Sequence, residues 1–145
     1  MHPMIRSALV LFGGVVIAVI VVILMDALVG RIYPLPPGID TRDEESLRQV
    51  IAGLPIGAFV LLLTGWILAA ATGSYFATRL ATQARATHGL IVSIFVLVAT
   101  IANLAAIPHP MWMWPAAIIL IPAAGWIAAR LVVRSAAAPA PTPPA

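Results

Sequence analysis

Four long apolar stretches, bounded by arginine and proline, organise the chain. The first runs from Ser7 to Met25 without a charge and holds a dense β-branched segment from Val15 to Ile23. The second lies in the uncharged interval between Arg48 and Arg79. Between Arg85 and Arg130 there is no Asp, Glu, Lys or Arg, which is room for two more. Pro108-His109-Pro110 divides that interval, because proline removes an amide donor and biases the residue before it away from helix.

A hydrocarbon core of roughly 30 Å and a helical rise of about 1.5 Å per residue require about 20 apolar residues for a crossing. The pattern therefore predicts an all-α integral membrane protein, a four-transmembrane-helix bundle with spans at about 7–28, 50–72, 89–107 and 113–133. One membrane domain covers 1–135, and the Ala/Pro-rich stretch 136–145 is expected to be a disordered tail. The first apolar run is longer than the 7–15 residues of a signal-peptide core, and no small-x-small cleavage site follows before Arg31. It is expected to stay attached as a helix.

The connections carry the polar residues. Tyr33-Pro34-Leu35-Pro36-Pro37-Gly38 is too rich in proline for helix and should run extended, with a turn at Gly38. Thr41-Arg42-Asp43-Glu44 fits a capping box with Thr41 as the cap. Asp43, Glu44 and Glu45 then suit a first turn, and Glu44 can pair with Arg48. Continued to Ala84, that helix would outrun the bilayer, so a kink is expected at Gly53 and Pro55 and an extension over Ser74–Gln83.

Arginine sets the orientation. Arg6, Arg79, Arg85, Arg130 and Arg134 fall on one side of four spans, and Arg31, Arg42 and Arg48 on the other. Short basic loops stay cytoplasmic, so both termini are predicted there. Tyr33, Trp112 and Trp114 then lie at the outer interface and Tyr75 and Phe76 near the inner one, where amphipathic rings prefer to sit. Trp66 and Trp126 fall within spans and are expected to be packed.

Composition agrees. The 145 residues are 62% apolar and 9% charged, against about 25% charged in a soluble domain. Without cysteine, disulfides and thiolate metal sites are excluded. All eight basic residues are arginine, and with the abundant alanine this has the look of a high-GC bacterial coding bias. The net charge of +3 is no nucleic-acid signal, because the arginines are scattered over span ends.

The strongest local pattern is a four-residue recurrence of small side chains on the second helix, at Gly53, Gly57, Gly65, Ala69, Gly73, Ala77 and Ala81, interrupted at Leu61. Such a stripe lets a neighbouring backbone approach closely, so helix packing is the expected role, with a conduit or ligand groove as the other reading. On the third span Ser93, Thr100 and Asn103 share a face and read as polar contacts between helices. Asp26 is the only acid near a span interior, which raises a functional question by default. At the outer end of its helix it has interfacial water or Arg31 as alternative partners.

The histidines do not form a metal or haem site. His88 and His109 stand at opposite ends of the third span, about 30 Å apart at helical rise. His2 near His88 would be a weak pair, and Asp40, Asp43 and Glu44 match no EF-hand. His109 stays with Asp26 and Asn103 as a candidate functional polar residue. No nucleophile elbow, zinc-protease motif or phosphate-binding loop is present, so no cofactor, metal or enzymatic activity is expected.

At Asp26, Tyr33 to Asp40, Gly57-Ala58-Phe59 and Pro108-His109-Pro110-Met111-Trp112 the chain resembles a group of small bacterial four-helix inner-membrane proteins without an established activity. The resemblance implies the four-span architecture and assigns no site. The expected function is structural, as an accessory or assembly subunit of a larger membrane complex or a homo-oligomer. Its partners would be the lipid bilayer and other membrane subunits or itself, and not nucleic acid. The alternative is a small transporter or channel component for a small or apolar substrate, using Asp26 and the Ser93, Thr100, Asn103 face. A membrane enzyme acting on lipid would have only Asp26, His109 and the outer acids to work with.

Overall fold

The computed structural model describes residues 3–39 and 43–137, and all regular structure among them is helical. Helix α1 spans Pro3–Ile32, α2 Glu44–Gly53, α3 Ile56–Leu80, α4 Arg85–Ala106 and α5 Met113–Ala137. All but α2 are long and apolar enough to cross a membrane. The side chains of Pro3, Glu44 and Ala137 lie outside the description.

Proline sets most of the boundaries. Helix α1 ends where Tyr33-Pro34 begins, and the chain then reaches a turn at Gly38, whose φ of +87° favours glycine. Helix α4 ends at Ile107, extended at φ −123° and ψ 133°, immediately before Pro108. Helices α2 and α3 meet at Leu54-Pro55, both extended. The kink expected at Gly53 and Pro55 is thus a full break. It moves the start of the second long helix from about 50 to Ile56, and α2 stands as a separate amphipathic helix.

Other boundaries also move. The first helix runs well beyond 7–28 at both ends, because nothing in Pro3–Ile32 interrupts its hydrogen-bond ladder. The extension of the second span stops at Leu80 and does not reach Gln83. There Arg85 closes the helix end, with Nε donating to the Thr78 carbonyl at 3.2 Å and a terminal nitrogen to that of Arg79 at 3.3 Å. The observed cap of α2 is Asp43, whose carboxylate accepts from the Ser46 amide at 3.0 Å. Thr41, the Glu44 side chain and Asp40 lie outside the described residues, as do His2 and the tail beyond Ala137.

The long helices alternate in direction. Gly14 of α1 meets Gly73 and Ala77 of α3, while Met25 meets Gly65, so α1 and α3 are antiparallel. Ser74 of α3 donates to the Gly89 carbonyl of α4 at 2.8 Å, and Ser93 of α4 donates to the Ile121 carbonyl of α5 at 3.1 Å. Helix α3 packs against α1, α4 and α5, and α1 also touches α4. One end of the bundle carries the start of α1 and the end of α5; the other carries α2 and the Pro108-His109-Pro110 turn.

The inside of the bundle is built from small residues and a few large ones, among them Leu63, Trp66, Met113 and Ile121. Large apolar side chains such as Phe12, Leu24, Val98 and Ile119 face outwards. A surface of that kind is stable in hydrocarbon and unstable in water.

Candidate functional site

At the α2 end, α1 and α4 separate and leave a cavity of about 580 Å³. Near the other end they touch, where Gly14 approaches Val92. Ala18, Val19 and Val22 of α1, Leu62 of α3 and Val96 and Ala99 of α4 give the cavity apolar walls. Tyr33, Leu35, Leu54, Ile107 and His109 line it from the connecting segments. Its size falls within the roughly 300–1,000 Å³ of small-molecule sites.

The polar lining is sparse. Asp26 from α1, Thr100 and Asn103 from α4, Tyr33 and His109 supply it. Asp26, Asn103 and His109, read separately from the sequence, therefore line one cavity. Among the described residues the Asp26 carboxylate, the Asn103 amide and the Thr100 hydroxyl have no hydrogen-bond or ion-pair partner. Arg31, one alternative partner for Asp26, makes no ion pair with it; five residues along a helix turn it to a different face.

His109 is held from three directions. Its ring lies 5.9 Å from the Trp66 ring and 6.3 Å from Phe59, between centroids. Nδ1 sits 2.8 Å from the Ile107 carbonyl, and because a carbonyl only accepts, Nδ1 carries the proton. In the neutral ring Nε2 is then the acceptor. Trp66 is 5% exposed and belongs to both the core and the cavity wall.

The face predicted from Ser93, Thr100 and Asn103 divides. Ser93 is fully buried against α5 and spends its hydroxyl on Ile121, leaving only Thr100 and Asn103 to the cavity. Pro122 removes one amide donor from α5 beside that bond. Proline in an apolar helix is tolerated where neighbouring helices and hydroxyls meet the freed backbone.

The small-residue stripe faces partners along most of α3. A Cβ built on Gly73 would lie 2.7 Å from the Gly14 carbonyl, and one on Gly65 would lie 2.7 Å from the Met25 Cβ. Ala69 and Ala77 are fully buried and Ala81 nearly so. At Gly57 the neighbour is the Tyr33 hydroxyl, at 2.7 Å, a side-chain tip that can move. Gly53 departs from the stripe, since the helix break places it at the end of α2 with nothing within 4 Å of an added Cβ.

Sequence reading missed Gly14, which opposes the stripe at Gly73 and Ala77, and Gly89 and Gly125, which make close approaches of their own at Thr78, Ser74 and Ser93. An added Cβ at Gly89 would strike the Thr78 hydroxyl, and one at Gly125 would strike the Ser93 side chain. None of the three belongs to a sustained four-residue recurrence on its own helix, so no spacing pattern marks it. Ser74 and Thr78, both fully buried, were likewise not singled out, and the Thr78 hydroxyl has no partner. Trp126 is not packed inside; it is 51% exposed, with the Arg130 guanidinium 5.0 Å above its ring.

No group of three or more His, Cys, Asp or Glu able to hold a metal occurs among the described residues. No family model, curated protein or solved structure matches the chain. The site is thus an apolar cavity with one carboxylate and several neutral acceptors. Such a set can bind a donor-bearing cation on an apolar body.

Proposed function

We propose that the chain is a multi-pass protein of a bacterial inner membrane, with both termini in the cytoplasm, that binds a small organic cation as a carrier or a component of one. The observation that carries this reading is the convergence of Asp26, Thr100, Asn103 and His109 on one apolar cavity. The arginine bias towards the termini end supports the orientation, and on that orientation the cavity lies in the outer half of the bilayer. The resemblance and the arginine and alanine usage support a bacterial source.

The charge logic favours a cation. Acids within membrane helices are rare, and they pair with one another or mark ligand and ion paths. Asp26 has no cationic partner among the described residues. A ligand ammonium would supply the missing charge, with Asn103 and Thr100 accepting its remaining N–H groups. Tyr33, Trp66 and Phe95 offer aromatic surface to the apolar body and to the cation.

Calorimetric titration of the purified chain in nanodiscs with an aromatic monoamine tests the reading. Wild type should bind the amine at least about tenfold more tightly than Asp26→Asn does, and more tightly than it binds the matching neutral alcohol. Equal affinity of wild type and Asp26→Asn for the amine, at unchanged helical content, would remove Asp26 and the cation from the proposal.

A second reading, the accessory or assembly subunit, has its own support. Only 17% of the most apolar window of α1 is buried, against 33–44% in the other long helices. Purification in mild detergent should then retain a defined partner or yield a stable homo-oligomer. A monodisperse monomer with full amine binding would decide for the carrier.

A further inference from the structure

We propose that the termini end of the bundle holds the phosphate group of an anionic phospholipid, in a site formed by Arg6 and Ser7 of α1, Thr82 and Gln83 of the α3–α4 connection, and His88 of α4. The site is separate from the Asp26 cavity and does not depend on what that cavity binds. These residues line a cavity of about 150 Å³ whose remaining wall is Val10 and Ala81, both buried.

Charge balance is the first argument. All five acidic residues lie between Asp26 and Glu45, so the other end of the bundle carries Arg6, Arg79, Arg85, Arg130 and Arg134 without a single acidic side chain. The counter-charge must come from outside these side chains. Basic pockets between membrane helices on one face are the usual sites for lipid phosphates.

The second argument is which arginine is available. Arg85 is committed to the Thr78 and Arg79 carbonyls, and Arg130 lies over Trp126. Arg6 makes no hydrogen bond, ion pair or ring contact among the described residues. The hydroxyls of Ser7 and Thr82 and the Gln83 amide are equally unengaged, so a charge and several neutral donors share one small concavity. The His88 ring is held by Nδ1, which donates to the Ala84 carbonyl at 3.1 Å, so Nε2 of the neutral ring accepts and suits a hydroxyl of a glycerol headgroup, leaving the phosphate oxygens to Arg6, Ser7, Thr82 and Gln83. Charge-assisted bonds to phosphate oxygen are about twice as strong as neutral ones.

The third argument separates a lipid from free phosphate. Met4, Ile5 and Leu9 flank Arg6 on α1 and are all exposed, which puts an apolar surface for acyl chains beside the headgroup donors. Free phosphate would leave that surface unused.

The test is native mass spectrometry of the full chain released from detergent, titrated with dioctanoyl phosphatidylglycerol, dioctanoyl phosphatidylcholine or inorganic phosphate. The expected result is one tightly held phosphatidylglycerol. Arg6→Gln should weaken it at least tenfold and Thr82→Val several-fold, while Arg134→Gln, outside the cavity at the same end, leaves it within twofold. Asp26→Asn should also leave it unchanged, which keeps this result distinct from the fate of the amine site. Unaltered binding by Arg6→Gln, or equal losses in Arg6→Gln and Arg134→Gln, would overturn the site. Equal retention of the two lipids would overturn the anionic preference, and retention of inorganic phosphate without lipid would overturn the lipid source. Circular dichroism of each variant verifies that a loss of binding is not a loss of fold.

Discussion

The two halves of the bundle are packed in different ways. Towards the termini, Gly14, Gly73, Gly89 and Gly125 let α1, α3, α4 and α5 approach until a single added Cβ would collide. Towards α2, α1 still meets α3 closely at Met25 and Gly65, but Trp66 and Phe59 stand among the helices and a cavity opens between α1 and α4. Lipid tails are as apolar as leucine, so burial alone gives membrane helices no reason to associate. Side-chain size at the contacts then decides where helices close and where they leave room.

The largest effect should come from breaking the closed half. Gly125→Leu drives a side chain into Ser93 and is expected to destabilise the fold by about 3 kcal/mol or more. Ala99→Phe, in the wall of the cavity, should fill space that already exists and leave the thermal midpoint in detergent almost unchanged while abolishing amine binding. Equal loss of stability in the two variants would mean that the halves do not differ in packing.

A smaller effect sharpens the same contrast in the other direction. Among the described residues the Thr78 hydroxyl is the one fully buried side-chain polar atom without a hydrogen-bond partner. Thr78→Val keeps the shape and removes the unpaired group, so a gain of about 1 kcal/mol in unfolding free energy is expected. A loss would show that a partner for this hydroxyl matters to the closed half.

The smallest effect belongs to the open half, where α2 contributes to the cavity rim through the adjoining Leu54. The Ser46 hydroxyl and amide hold the Asp43 carboxyl below the ordinary value of 3.8. A lowered folded-state value means that the cap supports α2 above the ordinary carboxylate range and is lost as pH falls through the lowered value. The Ser46 amide resonance should titrate with a midpoint below 3.8 in the wild type and lose that titration in Asp43→Asn. A midpoint at or above 3.8 would contradict the cap.

Much of this architecture was readable beforehand, and the misses have physical causes. The four long helices follow from apolar length, and the stripe on α3 follows from its four-residue recurrence. What recurrence cannot show is the partner: Gly14, Gly89 and Gly125 matter only once the helices are placed side by side. Asp26, Asn103 and His109 were each identifiable as unusual, but their meeting depends on α1 and α4 flanking one space, which no local pattern records. Trp126 was misread because an apolar run looks the same whether its residues face a neighbour or lipid. The apolar signal that puts the start of the second span near residue 50 runs through Leu54-Pro55, where the backbone breaks.

The central position of α3 has a consequence for the order in which the chain is made. Synthesis delivers α1 before the helix against which most of its packing residues are matched, so in a membrane-inserted chain α1 would persist in lipid alone until α3 arrives. Its most apolar window has a mean hydropathy of 3.2, against 1.9 for α3. The first helix can thus wait without a partner, whereas α3, richer in glycine, serine and threonine, enters with one already in place.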